Sequence, residues 1–370
     1  VDEAKAMAEN IGYEVVDSVV QRRNSVHHSF CVGLGKLDEL NRLCREKKID
    51  LAIFTNTLPS SQTFKIQKEL GGNVKVVDRN MLILEVFDKR AMTKEAKLQI
   101  KLAKLKYTFS WGREFIKLQG ILGEQVGWSG PGDYPFKDYE REARKRISRL
   151  EEALEEVNEK KAILRQRRRE LGYPIVALAG YTQSGKTTFF NRLVSESKSV
   201  GLGPFTTLST YARRMSLPDE SSNIDFILVD SIGFIEDMHP IILKAFNATL
   251  SEITNADLIL LFVDLSDDPS VLNRRVASTN KILREMDVNS EMIVCANKVD
   301  LVDGERAKRA EEIIRRHMLG VDIVNLSAKT GENLDQVLEL MRRQIKHSNI
   351  QRGSAQSVAS DLAEAVRQQN

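Results

Sequence analysis

Over its first ninety residues the chain alternates short β-branched runs with amphipathic stretches, and the two periods separate cleanly. The runs predict strands at Glu14–Val20, Ser29–Val32, Ile49–Phe54 and Val74–Val77. Helical spacing between them predicts helices at Lys36–Lys48 and Ser60–Leu70, the second opened by the cap-forming Ser60 and Ser61. Strands separated by helices predict a small α/β layer with mostly parallel pairing. From 79 to 118 the pattern turns continuously helical, as in Lys94–Leu105. A glycine-rich break follows at Gly120, Gly123, Gly127, Gly130 and Gly132, with Trp128 inside it. Lys137–Leu171 then resumes as a charged helix whose apolar positions Ile147, Leu150, Leu154, Val157, Leu164 and Leu171 follow a three-four spacing. Two such helices joined by a loop of under about twenty residues predict an antiparallel hairpin.

Tyr173-Pro174 breaks that helix. Beyond it, apolar runs of strand length again alternate with amphipathic stretches up to residue 347. The expected organisation is an α/β subdomain at 1–90, a helical hairpin with its glycine-rich loop at 91–172, a nucleotide-binding domain at 173–347 and a tail at 348–370. Low-complexity Gly353–Ser357 and a short helical stretch from Asp361 mark that tail.

Charge makes up 29% of the 370 residues but nets only +3, so any nucleic-acid surface is a local patch. Lys160, Lys161, Arg165, Arg167, Arg168 and Arg169 form one such run near the end of the second hairpin helix. Contact with RNA phosphates and a solvated helix end, where cations are favoured anyway, are both open readings. Cys31, Cys44 and Cys295 have no metal-ligand or redox spacing and read as small core residues of a reducing, cytoplasmic compartment. His27 and His28 are adjacent and belong to no ligand cluster. No apolar run approaches the roughly 18 residues of a membrane span. The chain begins at Val1, so a removed leader stays open.

The chemistry is concentrated in the last domain. Gly180-Tyr181-Thr182-Gln183-Ser184-Gly185-Lys186-Thr187 fits G-x-x-x-x-G-K-[ST], and Thr188 continues into a helix. A strand precedes the loop, so its N–H groups and the helix dipole can cradle a polyphosphate. Lys186 reaches the β- and γ-phosphates, and the Thr187 hydroxyl faces Mg²⁺. Asp230-Ser231-Ile232-Gly233 closes a second strand: Asp230 holds Mg²⁺ through water, and the Gly233 N–H meets the γ-phosphate. Between the two motifs, Thr207 is favoured over Thr206 to close over Mg²⁺ and the γ-phosphate. Asn297-Lys298-Val299-Asp300 supplies a carboxylate for guanine N1–H and the exocyclic amine, donors that adenine does not pair there. Ser327-Ala328-Lys329 brings the Ala328 N–H near O6. The four motifs in order over about 150 residues specify guanine. Lys186, Thr207 and Gly233 are the expected catalytic contacts, and Thr187, Thr207 and Asp230 the metal contacts.

Phe234 stands where many GTPases place a water-orienting glutamine, and a phenyl ring cannot do that work. Slow intrinsic turnover is expected, raised by a partner; Phe234 packing beneath the switch is compatible with this. Arg213-Arg214 reads as a solvated pair on an exposed strand, with a catalytic cation as the sharper alternative.

Taken together, these segments resemble the HflX family of translation-associated GTPases. Gly33-Leu34-Gly35-Lys36-Leu37-Asp38-Glu39-Leu40 is similar to G-x-G-K-x-E-E-L, Leu58-Pro59-Ser60-Ser61-Gln62 to L-S-P-S-Q, and Asp78-Arg79-Asn80 to D-R-T. Lys97–Ala103 resembles K-L-Q-V-E-L-A, Gly130-Pro131-Gly132-Asp133 resembles G-P-G-E, and Asp230–Ile235 resembles D-T-V-G-F-I. The resemblance, over residues 1–345, implies a P-loop NTPase G domain with a mostly parallel sheet flanked by helices. A small α/β domain and a long antiparallel helical hairpin precede it. It further implies a Mg²⁺-dependent, cytoplasmic, monomeric GTPase, with GTP as substrate and GDP as product. Its partner is the large ribosomal subunit or ribosome and its rRNA, with no membrane. Ribosome-stimulated hydrolysis, and splitting in some members, comes with it; a ribosome-docking module with negligible turnover is the alternative. Gln183 stands where the family usually has asparagine, a residue that in related GTPases can hold an activating K⁺. ATP binding by the N-terminal domain is also reported in the family; a strand-to-helix turn explains Gly33-Leu34-Gly35-Lys36 equally well.

Overall fold

A computed structural model describes residues 1–91, 93–121, 133–170, 172–194, 211–218, 223–231, 233–234, 241–242 and 252–347. It divides into two compact units, Val1–Lys160 with Met238–Phe246, and Lys161–Asp237 with Asn247–Asn370.

The first unit opens with α1 (Asp2–Asn10), whose Ala4, Met7, Ala8 and the following Ile11 are buried at helical spacing. The signal for this helix was legible, yet the strand-oriented reading missed it. The expected strand at Glu14–Val20 does not form: the segment has no regular structure, and Val16 and Val20 are exposed. Its β-branched residues give propensity, but a strand also needs an edge to pair with. At Ser29–Val32 there is only a turn closed by an isolated bridge between His27 and Cys31.

α2 (Leu34–Glu46), β1 (Leu51–Phe54), α3 (Ser60–Glu69) and β2 (Lys75–Asp78) agree closely with expectation. β1 and β2 pair in parallel, making one βαβ unit. Its core gathers Leu37, Phe54, Leu58, Ile66 and Val76 together with Cys31 and Cys44. Each fully buried aliphatic or aromatic side chain there contributes roughly 1.5–3 kcal/mol. Pro59, rather than a serine, takes the cap position of α3.

The predicted continuous helix from 79 to 118 is two helices, α4 (Arg79–Arg90) and α5 (Lys94–Ile121). α4 is capped by Asp78, whose carboxylate accepts from the Met81 N–H at 2.9 Å, and buries Leu82, Ile83, Leu84, Val86 and Phe87. α5 runs through Gly120, which the glycine pattern had placed in a break. α6 (Asp133–Glu170) starts four residues before the expected Lys137. Lys106 pairs with Glu151 at 2.6 Å, and Phe109 stacks on Tyr139. Later residues of α5 thus meet earlier residues of α6, which makes the hairpin antiparallel. The loop at 122–132 lies outside the described residues, as do the side chains of Lys161, Arg165, Arg167, Arg168 and Arg169.

The second unit is built on a six-stranded sheet. Its strands are β3 (Ile175–Gly180), β4 (Tyr211–Leu217), β5 (Ile224–Asp230), β6 (Leu258–Asp264), β7 (Glu291–Asn297) and β8 (Asp322–Leu326), in the order β4-β5-β3-β6-β7-β8. Only β4, at the edge, is antiparallel to its neighbour. β3 and β6 are buried along their whole length, as central parallel strands with both faces covered must be. Among the described residues, its longer helices are α7 (Lys186–Val194), α8 (Pro269–Glu285), α9 (Gly304–His317) and α10 (334–347). From β3 the chain builds β4 and β5 on one side, then β6, β7 and β8 on the other. Sequence direction therefore reverses across β3, the place where open α/β sheets bind ligands beyond their carboxyl ends.

Candidate functional site

Every described motif residue lies at the carboxyl end of one of the parallel strands. The phosphate loop leaves β3 at Gly180, where φ is +134° and an added Cβ would stand 2.3 Å from the Phe262 carbonyl oxygen of β6. Only glycine allows that approach. Gly185 has φ +100°, and a Cβ there would meet the Asn297 amide at 2.0 Å. Gln183, exposed at the tip, has φ +65°, a region asparagine enters more readily than glutamine. The Ser184 hydroxyl donates to the Tyr181 carbonyl at 2.8 Å, tightening the turn.

Lys186 and Thr187 open α7, where the loop N–H groups and the helix dipole converge. The Lys186 ammonium is buried and donates to the Gly180 and Tyr181 carbonyls at 3.0 and 2.6 Å. Burial pushes it down to about 8, with Asp230 pulling in the opposite direction. The Thr187 hydroxyl donates to the Asp230 carboxylate at 3.1 Å. A hydroxyl and a carboxylate brought together at the mouth of a phosphate loop are hard oxygen donors, a set that fits Mg²⁺. Thr207, the expected third member, and Thr206 lie outside the described residues, as does Ile232.

Gly233 stacks directly on the loop: a Cβ there would lie 2.7 Å from the Thr182 nitrogen. Phe234 N–H donates to the Gly180 carbonyl at 2.9 Å, and Thr182 N–H to the Phe234 carbonyl at 3.1 Å. The Phe234 ring is buried, edge-on to Tyr181 with centroids 6.5 Å apart. Phe234 thus packs beneath the loop and brings no hydrogen-bonding side chain. Of the two arginines on β4, Arg214 pairs with Asp225 at 2.5 Å and lies over the Tyr173 ring at 4.6 Å. That pairing occupies it structurally and favours the surface reading over a catalytic cation.

The base-side motifs are tied to the phosphate loop through Asn297. Its amide nitrogen donates to the Ser184 carbonyl at 2.7 Å, and its amide oxygen accepts from the Ala328 N–H at 2.8 Å. Lys298, in a left-handed conformation, pairs with Asp264 at the end of β6, and the same carboxylate accepts from the Ser266 N–H and hydroxyl. Asp300 is exposed on the short 3-10 turn Val299–Leu301. Ser327 is buried and its hydroxyl accepts from the Thr330 N–H at 3.1 Å, while Lys329 is exposed. Sequence reasoning missed three contributors. Asp264 carried a faint signal, an acidic residue at a strand end. Ser231, whose hydroxyl donates to the Leu178 carbonyl at 2.6 Å, was read only as a motif filler. Arg192 carried none.

The family described as "GTP-binding GTPase N-terminal" matches residues 1–88, "GTP-binding GTPase Middle Region" matches 90–168, and "50S ribosome-binding GTPase" matches 175–298. GTPase HflX of Thermococcus kodakarensis is 35% identical over 347 residues, covering 92% of this chain and 76% of the relative. GTPase HflX of Thermofilum pendens is 35% identical over 368 residues, covering 99% and 85%. This chain belongs to the HflX family of GTPases. Its activity is GTP hydrolysis, and its fold is the P-loop GTPase fold. The crystal structure of the SsGBP–GDP complex is similar, with a TM-score of 0.51 and 27% identity over 94% of this chain and 96% of that one. In this HflX GTPase the phosphate loop, D-x-x-G, N-K-x-D and S-A-K follow β3, β5, β7 and β8. Among the described residues no helix is long and apolar enough to cross a membrane.

Proposed function

We propose that this HflX-family GTPase acts on the large ribosomal subunit or ribosome in the cytoplasm, and that GTP binding and slow, partner-stimulated hydrolysis govern its association. The observation that carries the kinetic half is Phe234: the residue after D-x-x-G is buried against Tyr181 and offers no group to orient water. The ribosomal half rests on the match to a 50S ribosome-binding GTPase family over 175–298. Splitting of ribosomes is one form that action could take.

In this reading, Gly180–Thr188 and Gly233 hold the β- and γ-phosphates through backbone N–H groups while water attacks the γ-phosphorus in line. The Lys186 ammonium balances charge gathering on the phosphate oxygens. Thr187 and Asp230 would hold Mg²⁺, joined by Thr207, and the ion would add to that neutralisation. Asp300 accepts from guanine N1–H and the exocyclic amine, Asn297 and Lys298 brace the base side, and the Ala328 N–H, beside Ser327 and Lys329, is shared between Asn297 and O6. Residues 1–90 and 91–172 form the N-terminal domain that presents the hairpin to rRNA, 173–347 form the G domain, and 348–370 a tail.

Multiple-turnover GTP hydrolysis, with and without purified large subunits, tests the kinetic claim. A stimulation of about 10³-fold or more is the scale of a completed site. Rates that do not respond to subunits or whole ribosomes sink it. Asp300→Asn should weaken GDP about a hundredfold or more by setting an amide N–H₂ against the exocyclic amine of guanine, and should favour xanthine nucleotides, which offer an acceptor there. Undiminished GDP affinity would refute the guanine assignment.

A further inference from the structure

Arg192 sits on α7, the helix whose first residues are Lys186 and Thr187, and it reaches the loop that carries the third guanine motif. Its Nε donates to the Ala328 carbonyl at 2.9 Å, and its Nη2 donates to the Lys329 carbonyl. Room for the guanidinium comes from Gly331: its φ is +97°, and a Cβ there would lie 2.8 Å from Arg192 Nη1. The same loop is closed on itself by Gly331 N–H donating to the Ser327 carbonyl at 2.8 Å. It is tied to the phosphate loop by the Ala328 N–H, which donates to Asn297.

We propose that Arg192 is a positioning residue for guanine, acting through the Ser327–Lys329 backbone; this rests on the guanine reading above. The two carbonyls it holds belong to the peptides that directly follow the Ser327–Ala328 peptide, so they fix the loop on the side of Ala328 away from its N–H. Charge-assisted bonds of this kind are about twice as strong as neutral ones, so the guanidinium fixes the turn more firmly than the turn's own bonds do. Because the holder belongs to α7, the loop that carries the Ala328 N–H is anchored to the helix that meets the phosphates. That N–H donates to Asn297 in the nucleotide-free fold and would be shared with O6 on binding. Phosphate contact and base contact then share one rigid element. Asn297 makes the reciprocal tie from the base side, to Ser184. Neither tie substitutes for the other, because Asn297 holds the N–H face of the loop and Arg192 its carbonyl face.

Two ligands isolate this role. GDP and 6-thio-GDP share the N1–H and exocyclic amine that Asp300 would read, and differ in the acceptor at position 6. Titration of Arg192→Ala should raise the Kd of GDP about tenfold, the equivalent of one well-made hydrogen bond, and that of 6-thio-GDP less, so discrimination narrows. Arg192→Lys, which can hold one carbonyl but not both, should recover part of it. In turnover the loss should fall on KM rather than kcat. Unchanged GDP affinity, or equal weakening of both nucleotides, overturns the proposal. Should Arg192→Ala fail to fold, Arg192→Lys decides by the same ratio, and full wild-type discrimination in it overturns the proposal too. Asp300→Asn measured alongside separates the two readings: if it leaves GDP binding intact, the guanine assignment falls, and this role with it.

Discussion

β2 ends on Asp78 and β5 ends on Asp230, two fully buried carboxylates at the carboxyl ends of parallel strands. Asp78 accepts from the Leu58 and Met81 N–H groups at 3.2 and 2.9 Å and from the Tyr107 hydroxyl of α5. Burial first, and Asp78 second, push the Tyr107 hydroxyl well above its ordinary range, so it stays a donor. The carboxylate caps a helix, ties a loop and anchors the hairpin. Asp230 instead faces Thr187 beside Lys186, next to a loop whose glycines let backbone approach backbone. A strand-end aspartate becomes chemistry where the neighbouring turn stays open to a ligand. Where a side chain from the next helix fills the space, it becomes architecture.

The hardest test of that contrast is Gly180→Ala. A methyl group 2.3 Å from the Phe262 carbonyl, at φ +134°, must push β3 and β6 apart. We expect a loss of about 3–5 kcal/mol in the second unit together with loss of nucleotide binding. Urea denaturation and GDP titration would check it, and a variant that binds GDP normally would show that the close approach is dispensable.

Tyr107→Phe probes the other strand end. It removes one donor from a buried carboxylate, so the N-terminal unit should lose about 1–3 kcal/mol while GDP affinity stays as it was. If the Kd for GDP shifted with it, the two strand ends would be coupled and the contrast too sharp.

The smallest expected effect is one of pH. Lys186 titrates near 8 in the fold against an ordinary 10.5. Phosphates favour its charged form, so GDP affinity should fall several-fold between about pH 7 and pH 9. Stability runs the opposite way. Between 8 and 10.5 the unfolded chain binds more protons at this site than the folded one, so the nucleotide-free protein gains stability as pH rises through that window. Lys186→Met should abolish both slopes in titration and thermal unfolding; a wild-type affinity that stays flat across the range would count against the buried ammonium.

Much of the fold was readable because it rests on local rules. β1, β2 and α3 follow their periods, Tyr173-Pro174 stops α6, and the runs Ile175–Ala179 and Phe226–Val229 before Gly180 and Asp230 are uniformly apolar. Glu14–Val20 failed because a strand's partner is not written in its own residues, and 79–118 failed because helical periodicity runs straight across the short break near Ala91. The site was legible wherever a motif fixes a backbone shape, as at Gly180 and Gly185. It was illegible where a partner comes from far along the chain.

By itself, then, the sequence determined that a phosphate loop, D-x-x-G, N-K-x-D and S-A-K follow in that order, each at the end of a strand, since every one is a short, local pattern. Only the tertiary structure decided that Arg192 holds the Ala328 and Lys329 carbonyls, that Asn297 joins Ser184 to Ala328, and that Arg214 is taken by Asp225 and Tyr173. The physical reason is separation: Arg192 reaches Ala328, and Asn297 reaches Ser184, across more than a hundred positions of chain. They arise from folding β3, β7 and β8 into one sheet, and no local propensity encodes which side chain will stand beside which carbonyl.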